Sequence, residues 1–492
     1  MSQLALRSLG NSSNMMTQAM ERLSTGKRVN SAADDAAGLG IATKLKAQVN
    51  SLNAASRNAT DALALIGTID GALEESSEIL LRMRELAVQS ASDTNTGTDR
   101  SFIQDEINQL NNELNRISSS TEFNSVKLLD GTYNNKQIQI GTSANQVFNI
   151  GVTSTDAATL GAYQMESLAE HNATATADAA AAVTAATALI NAAGDYTVKG
   201  SFGSTTVNIA AGDDAKTVAQ SFNLAAGTTG ITAAAITKAK ITAVSAETYS
   251  FTLKGKSDTA STVNATVTSA TNLTALKDAI NSVSGATGIT AALTEDLSGI
   301  NLVQQDGFDI VVGDVTSSGS GTMTMGAADK NGDAVSQAAV ALGGATGTDS
   351  QVIIGQISLS SHKAFTVTSG NAANHFATDT AAQTSTLQTM GAVDISSQSG
   401  ATNALSVIDG AIAMVSEIRS EMGAAENRLT STVDNLSNVS VNTQRSLTAV
   451  EDANFASETS ALTKAQILQQ AATSMLAQAN KAKQTMLVLL QG

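Results

Sequence analysis

The chain has 492 residues and a formal net charge of −16, and it contains no proline, cysteine or tryptophan. Without cysteine it has no disulfide framework and no thiolate for catalysis or metal binding. Its acidic balance argues against nucleic acid or an anionic membrane as a partner, because both require clustered cations. The first residues lack the pattern of a signal peptide, and no window reaches the roughly 18 apolar residues of a membrane span.

Residues 2–23 carry a short amphipathic stripe formed by Leu6, Leu9, Ser13, Met16, Met20 and Leu23. An isolated helix this short is marginal in water, so we expect it to be helical only when packed. From Leu23 to Ala42, glycines interrupt the helical pattern, and the run from Ser31 to Asp35 favours turns. We interpret this stretch as a structured connector, in which Asp34 and Asp35 serve as caps and loop contacts.

The longest apolar repeat runs from Ile41 to Ser92 and has the alternating spacing of three and four residues that is typical of a coiled-coil seam. Its members are Leu45, Gln48, Leu52, Ala55, Ala59, Ala62, Ile66, Ile69, Leu73, Ser76, Leu80, Met83 and Ala87. A helix of this length would span roughly 75 to 80 Å. It cannot bury its stripe alone and therefore needs helical partners along its whole length.

A loop follows at SDTNTGTD, with Thr98 or Asp99 as the predicted N-cap of a second helix. The second helix repeats the spacing with Ile103, Ile107, Leu110, Leu114 and Ile117, and we expect it to pair antiparallel with the long helix. The stretch KQIQIGTSANQVFNIGV alternates as two short strands around a turn. It predicts a β-hairpin that lies on the helices.

The middle of the chain, from about 172 to 400, is rich in Ala, Thr, Gly and Ser and has short alternating strands. Ala177 to Ala193 is predicted to form a small helix. A repeat with a period of 58 residues follows, in which GITAA recurs at Gly230 and Gly288. Upstream, YTVKG at Tyr196 matches FTLKG at Phe251 three residues out of that register, so the copies differ by a small insertion or deletion. Each copy predicts a strand, a helix, a turn and a strand, which indicates two small α/β units that share a surface.

The coiled-coil spacing returns after Ala401. One seam comprises Ile408, Ala411, Val415, Ile418, Met422, Ala425, Leu429, Thr432, Leu436, Val439, Thr443, Ser446, Val450 and Ala453, and a last helix continues it with Ala465, Leu468, Ala472, Met475, Ala479, Ala482, Met486 and Leu489. The predicted fold is α+β. The N- and C-terminal helices pair into a long coiled-coil rod with a β-hairpin, and a mixed α/β region is inserted in the middle.

Four sequence blocks resemble bacterial flagellins: LSTGKRVNSAADDAAGLGIA from Leu23, RELAVQSAS from Arg84, EFNSVKLLDG from Glu122, and the stretch ENRL to LAQAN from Glu426 to Asn480. The resemblance covers roughly 1–150 and 401–492. The 58-residue repeat also resembles one found in the variable region of many flagellins. The chain departs from the family at Lys481 to Gln484, where members often carry proline.

This resemblance implies an extracellular subunit of the flagellar filament, which is exported unfolded through the flagellar type III apparatus. Its partners would be further copies of itself, an export chaperone on the C-terminal helix, and the hook-associated and cap proteins. It implies five segments: an inner-tube helix with connector (1–40), the first part of the rod with the hairpin (41–171), a variable surface region (172–400), the second part of the rod (401–454) and a C-terminal inner-tube helix (455–492).

The resemblance also implies residues that other molecules contact. Recognition of flagellins by a vertebrate Toll-like receptor maps onto Arg82, Leu86, Gln89 and Glu106, although the same residues are equally explained as contacts between subunits. The terminal helices supply an assembly stripe of Leu6, Leu9, Met16, Met20, Leu468, Met475, Met486 and Leu489. Such a stripe, unmatched inside one chain, is available to others.

Other functions are weighed against this one. Some flagellins carry a metalloprotease with an HExxH helix, but His171, His362 and His375 are isolated in sequence and none has that spacing. Asp329, Asn331 and Asp333 imitate the start of a calcium loop, yet Ala334 and Val340 stand where Gly and Glu are needed. We therefore expect no enzyme, cofactor or metal site. The remaining alternatives are the hook–filament junction protein and a coiled-coil adhesin unrelated to motility.

Overall fold

The computed structural model describes residues 2–167, 175–176, 194–210, 212–257, 259–294, 297–329, 339–343, 349–370, 376 and 381–490. The helices in these ranges are α1 (Ser2–Thr25), α2 (Ala36–Ser90), α3 (Gly97–Ser120), α4 (Ala215–Leu224), α5 (Ala226–Thr229), α6 (Thr274–Ser282), α7 (Ser284–Thr287), α8 (Gln398–Glu451) and α9 (Phe455–Leu490). The predicted helix at 177–193 lies outside the described residues.

The chain divides into two compact units. The first draws on Met1–Thr68, Asn134–Gly151 and Met422–Gly492, and the second on Ile69–Tyr133 and Val152–Glu421. This division differs from the five predicted segments, because the long helices α2 and α8 each contribute residues to both units.

In the first unit, α1 packs against α9. Small side chains lie at the contact, since Ser12 and Ala19 of α1 and Ala465 and Ala472 of α9 are buried. Arg22 Nη1 donates a hydrogen bond to Glu458 Oε1 over 3.2 Å at one end of the pair. Small residues let two helix backbones approach closely.

The predicted connector is a structured loop held by the end of α8. Arg28 N donates to the carbonyl oxygen of Glu451 over 2.7 Å, and Ala453 N donates to that of Gly26 over 2.9 Å. Lys27 forms an ion pair with Glu451. Within the loop, Asp34 Oδ2 accepts from the backbone and hydroxyl of Ser31, and these hydrogen bonds lower the pKa of Asp34.

Helix α2 begins at Ala36, so the predicted start at Ile41 was wrong. Asp35 caps it, because its Oδ1 accepts from Gly38 N over 2.8 Å. A Cβ at position 38 would collide with that carboxylate, which explains a glycine inside the first helical turn. The glycines at 38 and 40, which sequence reasoning placed in a loop, lie in the helix.

The seam of α2 is confirmed from Leu52 to Ala87, where each predicted position is buried. At the start of the helix, Ala42 and Val49 are buried, whereas the predicted Leu45 and Gln48 are only partly covered. Leu52 and Ala55 form an apolar cluster with Leu436 of α8. In this first unit Asn53 also hydrogen-bonds Ser440 of α8 over 3.0 Å.

In the second unit, α8 is antiparallel to α2. Arg419 Nε bonds Asp70 over 2.9 Å, and further along α2 Arg84 Nε bonds Asp409 over 2.6 Å. The seam of α8 is confirmed at Ile408, Ala411, Val415, Ile418, Met422, Leu429, Leu436 and Thr443.

Later positions of the α8 seam were wrong. Val439 is exposed, and Leu447 is buried in place of Ser446, as expected when the buried stripe of a helix drifts relative to a strict seven-residue repeat. Ala453 lies beyond the end of the helix at Glu451.

Helix α8 contains a stretch of 18 residues with a mean hydropathy of 1.2, so by length and composition alone it could cross a membrane. Of this stretch, 33% is buried inside the protein. The buried seam gives its apolar side chains partners in the chain itself.

Helix α3 is antiparallel to α2, as predicted, since Arg100 contacts Ser90 and Glu106 contacts Arg82. Its N-cap is Thr96 and not Thr98 or Asp99. Thr96 Oγ1 accepts from Asp99 N, while Asp99 Oδ2 accepts from Thr96 N, which is a complete capping box. Asn111 is buried where the seam predicted Leu110, and its Nδ2 donates to the Met390 carbonyl oxygen.

The described strands are β1 (Glu122–Phe123), β2 (Val126–Lys127), β3 (Lys136–Gln139), β4 (Val147–Ile150), β5 (Gly161–Glu166), β6 (Ala175–Thr176), β7 (Gly194–Lys199), β8 (Ser204–Ile209), β9 (Thr232–Thr242), β10 (Thr248–Lys254), β11 (Ser261–Thr266), β12 (Ile289–Leu293), β13 (Ile300–Gln304), β14 (Ile310–Ser317), β15 (Met323–Ala327), β16 (Val340–Leu342), β17 (Ser350–Ile353), β18 (Gln356–Ser361), β19 (Thr366–Ser369), β20 (Gln383–Thr384) and β21 (Thr386–Thr389). Strands β3 and β4 form the predicted hairpin. It lies on the helices of the first unit, because Asn58 Nδ2 bonds the Gln139 carbonyl oxygen and Arg428 stacks over Phe148.

Three sheets build the middle region in the described residues. The largest has the order β12-β13-β9-β18-β5-β21 with β15 and β16 beside β9, and the other two have the orders β11-β10-β14-β17-β6 and β20-β19-β7-β8. Strand β5 pairs with β18 and β21. Strand β5 precedes the predicted boundary at 171/172 and belongs to the largest sheet.

Both copies of the repeat have the same local structure. Each is a hairpin (β7–β8 and β10–β11) followed by a helix, a short helix and a strand, so the prediction missed the second strand of each hairpin. Asn223 and Asn281 bind the backbone of Ala233 and Ala291 through both the amide oxygen and nitrogen. The strands β9 and β12–β13 of the two copies lie in one sheet.

Candidate functional site

The predicted contact set centres on Arg82, whose guanidinium lies between two carboxylates. Its Nε and Nη2 donate to Glu106 Oε1 over 3.0 and 2.9 Å, and its Nη1 donates to Glu85 Oε2 over 3.1 Å. These hydrogen bonds, chiefly that to Glu106, raise the pKa of Arg82. All three side chains are exposed. The arrangement presents a fixed polar cluster on the surface of α2 and α3.

The four predicted contact residues do not all lie on one surface. Leu86 is only 1% exposed and belongs to the core, so it does not share the surface of Arg82. The reason is the helical repeat, since Leu86 is adjacent to the buried seam at Met83 and Ala87. The guanidinium of Arg82 is held by two carboxylates of this chain, those of Glu106 and Glu85. Gln89 is exposed, as is Glu106.

Sequence reasoning missed several members of this surface. Glu85 follows Arg82 by three residues, a spacing that places both on one helix face and could have identified it. Leu81 and Val88, seven residues apart on α2, are exposed large apolar side chains, and so is Phe102 on α3. They add apolar area to the polar cluster.

The residues of the terminal stripe differ in their exposure to solvent. Leu6 and Met20 of α1 and Leu468 and Met475 of α9 are exposed, with Met475 at 65%. Leu9 and Met16 are partly covered. The backbones of Met486 and Leu489 lie in α9, but their side chains fall outside the description. Leu4, Met15, Phe455 and Ile467 are further exposed apolar side chains that the predicted stripe omitted.

Metal and catalytic groupings were also sought. In the part of the chain that the structure describes, no group of three or more His, Cys, Asp or Glu side chains could hold a metal ion. His362 lies 3.6 Å from Glu417 in an ion-pair arrangement. His171, His375, Asn331, Asp333 and Ala334 lie outside the described residues.

Comparison with known proteins gives a consistent result along the whole chain. Family models for the N-terminal and C-terminal helical regions of bacterial flagellin match residues 1–134 and 405–490. A model of the flagellin hook IN motif matches residues 250–306, which contain most of the second repeat copy.

Two curated relatives match over almost their full length. B-type flagellin of Pseudomonas aeruginosa is 36% identical over 490 residues, which cover 99% of this chain and 97% of the relative. Flagellin of Salmonella rubislaw is 33% identical over 512 residues, with coverage of 100% and 98%. FliC from Burkholderia pseudomallei, a solved structure, aligns with 74% of this chain and 99% of its own at 18% identity and a TM-score of 0.30. On the strength of the sequence matches, this chain belongs to the bacterial flagellin family.

Proposed function

We propose that this chain is a structural subunit that polymerises into the extracellular filament of the bacterial flagellum. Family membership supports this function along the whole chain. The observation that carries the assembly step is the apolar surface that α1 and α9 leave exposed after packing on each other. Large exposed apolar areas mark sites of protein association.

One face of α9 packs within the chain, and another face remains available for assembly. Ala465 and Ala472 are buried within the chain, whereas Leu468, Met475 and Ile467 remain outside. Water contact with such side chains costs about 1.5–3 kcal/mol each relative to full burial. In this proposal, copies of the same chain cover them, which makes polymerisation favourable without further chemistry.

The assembly step is tested by replacing Leu468 and Met475 together with Gln. Both residues are exposed, so we expect α9 to keep its place on α1 while the concentration needed for polymerisation rises at least about tenfold. Sedimentation after seeding measures the polymerised fraction.

The matched control replaces Thr473 and Ala477 with Gln, because these exposed positions lie on the other side of the helix. Equal polymerisation of the two double variants would remove the basis for the stripe.

The further partners in this proposal are the export chaperone on 455–492 and the hook-associated and cap proteins at the filament ends. Export as an unfolded chain through the type III apparatus is compatible with the absence of cysteine and proline. The role is structural and not catalytic. The relatives that match over the full chain are flagellins, which favours this function over that of the junction protein or an unrelated adhesin.

We also propose that the exposed cluster of Arg82, Gln89 and Glu106 contacts neighbouring subunits in the filament and, in the monomer, a vertebrate Toll-like receptor. Exposure of these three side chains supports a direct contact. Leu86 would act only by supporting the backbone beneath them, because its side chain is in the core.

A further inference from the structure

A groove lies between the largest sheet and α8 in the second unit. Its walls are β5, β9 and β18 on one side and residues 403–413 of α8 on the other, and its volume is about 380 Å³. The groove exists because the strands present short side chains to the helix, such as Ala234, Ser358 and Ser360. On the opposite face of β18, Ile357 and Leu359 fill a core. The sheet is thus packed on one side and leaves space on the other.

The groove is lined by hydroxyl, amide and carboxyl groups. Gln164 Nε2 donates to Ser406 Oγ over 2.8 Å, which links the sheet to the helix. The carboxylates of Glu166 and Asp409 are both part of the lining, and Arg84 holds Asp409 in place over 2.6 Å. The described residues that line the groove include no lysine or arginine. This lining disfavours anions, and the lack of large apolar side chains disfavours lipids.

An exposed aromatic ring stands beside this groove. Phe202, in the turn between β7 and β8, is 66% exposed. Its ring centroid lies 5.9 Å from that of His362, and the ring also lies against Gly230. His362 and Gly230 both line the groove. The ring therefore lies next to two residues of the groove wall, although it contributes little to the core.

The internal repeat shows that the hairpin does not require this ring. Gly200 and Gly255 are equivalent, because each lies against the carbonyl oxygen of the equivalent threonine, Thr229 or Thr287. Two residues further on, the first copy has Phe202 and the second has Ser257. The second copy also forms a hairpin, with a longer turn, since β10 ends at Lys254 and β11 begins at Ser261, whereas β7 ends at Lys199 and β8 begins at Ser204. Lys256, and not an aromatic residue, lies against Gly288, the equivalent of Gly230. An exposed phenylalanine at the groove is thus a feature of the first copy alone.

We propose that this groove binds a neutral saccharide, with one face of the sugar ring against Phe202 and its hydroxyl groups in the groove. The C–H face of a sugar is apolar and packs on an aromatic ring, while a carboxylate accepts several hydroxyl hydrogen bonds. Glu166 is the acceptor assigned to those hydroxyls, and the Ser358 and Ser360 hydroxyls lie along the same wall. The volume is of the size expected for a small ligand. This binding is separate from assembly, because it uses none of the terminal stripe.

The test is ligand-observed saturation-transfer NMR on the full-length monomer. The probes are N-acetylglucosamine and the methyl glycosides of glucose, galactose and mannose at millimolar concentration, with glucose 6-phosphate as the charged comparison. At least one neutral sugar should bind, and glucose 6-phosphate should bind more weakly because two carboxylates line the groove. Binding by none of the neutral sugars, or stronger binding of the phosphate, would overturn the proposal.

Two variants locate the binding. Phe202→Ser removes a ring that is 66% exposed, so the hairpin should fold, and the affinity for the bound sugar should fall about tenfold or more. Glu166→Gln keeps the size of the side chain and should weaken binding independently. Phe102→Ser removes an equally exposed ring on α3, 66% exposed, and should leave the affinity within about twofold. Unchanged affinity in both groove variants would place the sugar elsewhere and contradict the assignment.

Discussion

At the scale of single residues, Arg82 illustrates how a side chain can be exposed and already paired. Glu106 and Glu85 hold its guanidinium on the surface of α2 and α3. Exposed ion pairs of this kind contribute little to folding. The two ion pairs also fix the orientation of the Arg82 guanidinium. A partner protein can then contact the part of the guanidinium that stays exposed.

We predict that Arg82→Ala leaves the unfolding temperature nearly unchanged but weakens receptor activation about tenfold. Glu106→Ala should have a similar effect, and the double variant should be no worse than either, because the pair acts as one unit. Receptor-reporter titration of purified monomers measures this. Arg116→Ala is the control, since Arg116 pairs with Glu113 three residues earlier on the exposed face of α3. An equal loss of receptor activation in Arg116→Ala would show that removing any exposed positive charge weakens activation, and would contradict a specific role of Arg82.

Asp309 gives a pH-dependent prediction. Burial, and to a smaller degree the nearby Asp214 carboxylate, raises the pKa of its carboxyl to about 7, against the opposing effects of the Gly355 N–H and Lys254. A folded-state pKa above the ordinary 3.8 means that the group stabilises the fold fully below about pH 4. That contribution is lost as the pH rises towards 7.

The Asp309→Asn variant should therefore unfold at a higher temperature than the parent chain at pH 8, by a few degrees, and the advantage should shrink at pH 4. Calorimetry across this range measures the difference. Asp306→Asn, at an exposed position in the same loop, serves as the control. A constant difference between Asp309→Asn and the parent at all pH values would refute the titration.

At the scale of elements, the pairing of β5 with β21 determines how the middle region can be removed. Gln164 pairs with Thr386 and Gly161 with Thr389, so the two strands form the stem of a hairpin. The buried carbonyl groups of Met390 and Ile395, just beyond β21, accept hydrogen bonds from Asn111 and Ser90. A deletion that leaves Met390 and Ile395 in the chain keeps these hydrogen bonds to α2 and α3.

We predict that replacing residues 167–383 with Asn-Gly, a two-residue turn suited to antiparallel strands, yields a folded chain that still polymerises. A chain without residues 172–400, the region marked by the change in sequence pattern, should be less stable. It leaves Asn111 and Ser90 without acceptors, at a cost of about 1–3 kcal/mol each. Thermal unfolding and sedimentation compare the two. Equal stability would mean that these hydrogen bonds do not anchor the helices.

The same elements show what the sequence could predict. The seams from Leu52 to Ala87 and from Ile408 to Leu436 were accessible because burial follows a simple period along a helix. The sequence identified Asp35 as a cap, whereas the capping residue Thr96 was missed because the neighbouring Thr98 and Asp99 offer equivalent local signals. The strands β8 and β11 were missed because Thr-rich alternation is weak, and the place of β5 was missed because its partners are far along the chain.

At the scale of the whole molecule, both ends of the chain carry helices that bury small side chains and leave large apolar side chains exposed. The sequence indicated the stripes but not which residues face inward. That choice depends on small residues such as Ala19 and Ala472, which permit close approach and turn larger neighbours outward. The contact set was identified by resemblance, and only the structure separated buried Leu86 from exposed Arg82.

The central claim is that exposed apolar side chains on the terminal helices drive polymerisation, and electron microscopy of seeded protein tests it most directly. The full-length chain should form long filaments. A chain without residues 460–492 should remain monomeric and soluble, with its middle region still folded by circular dichroism. Filaments of normal length from the shortened chain, or none from the full-length chain, would contradict the account.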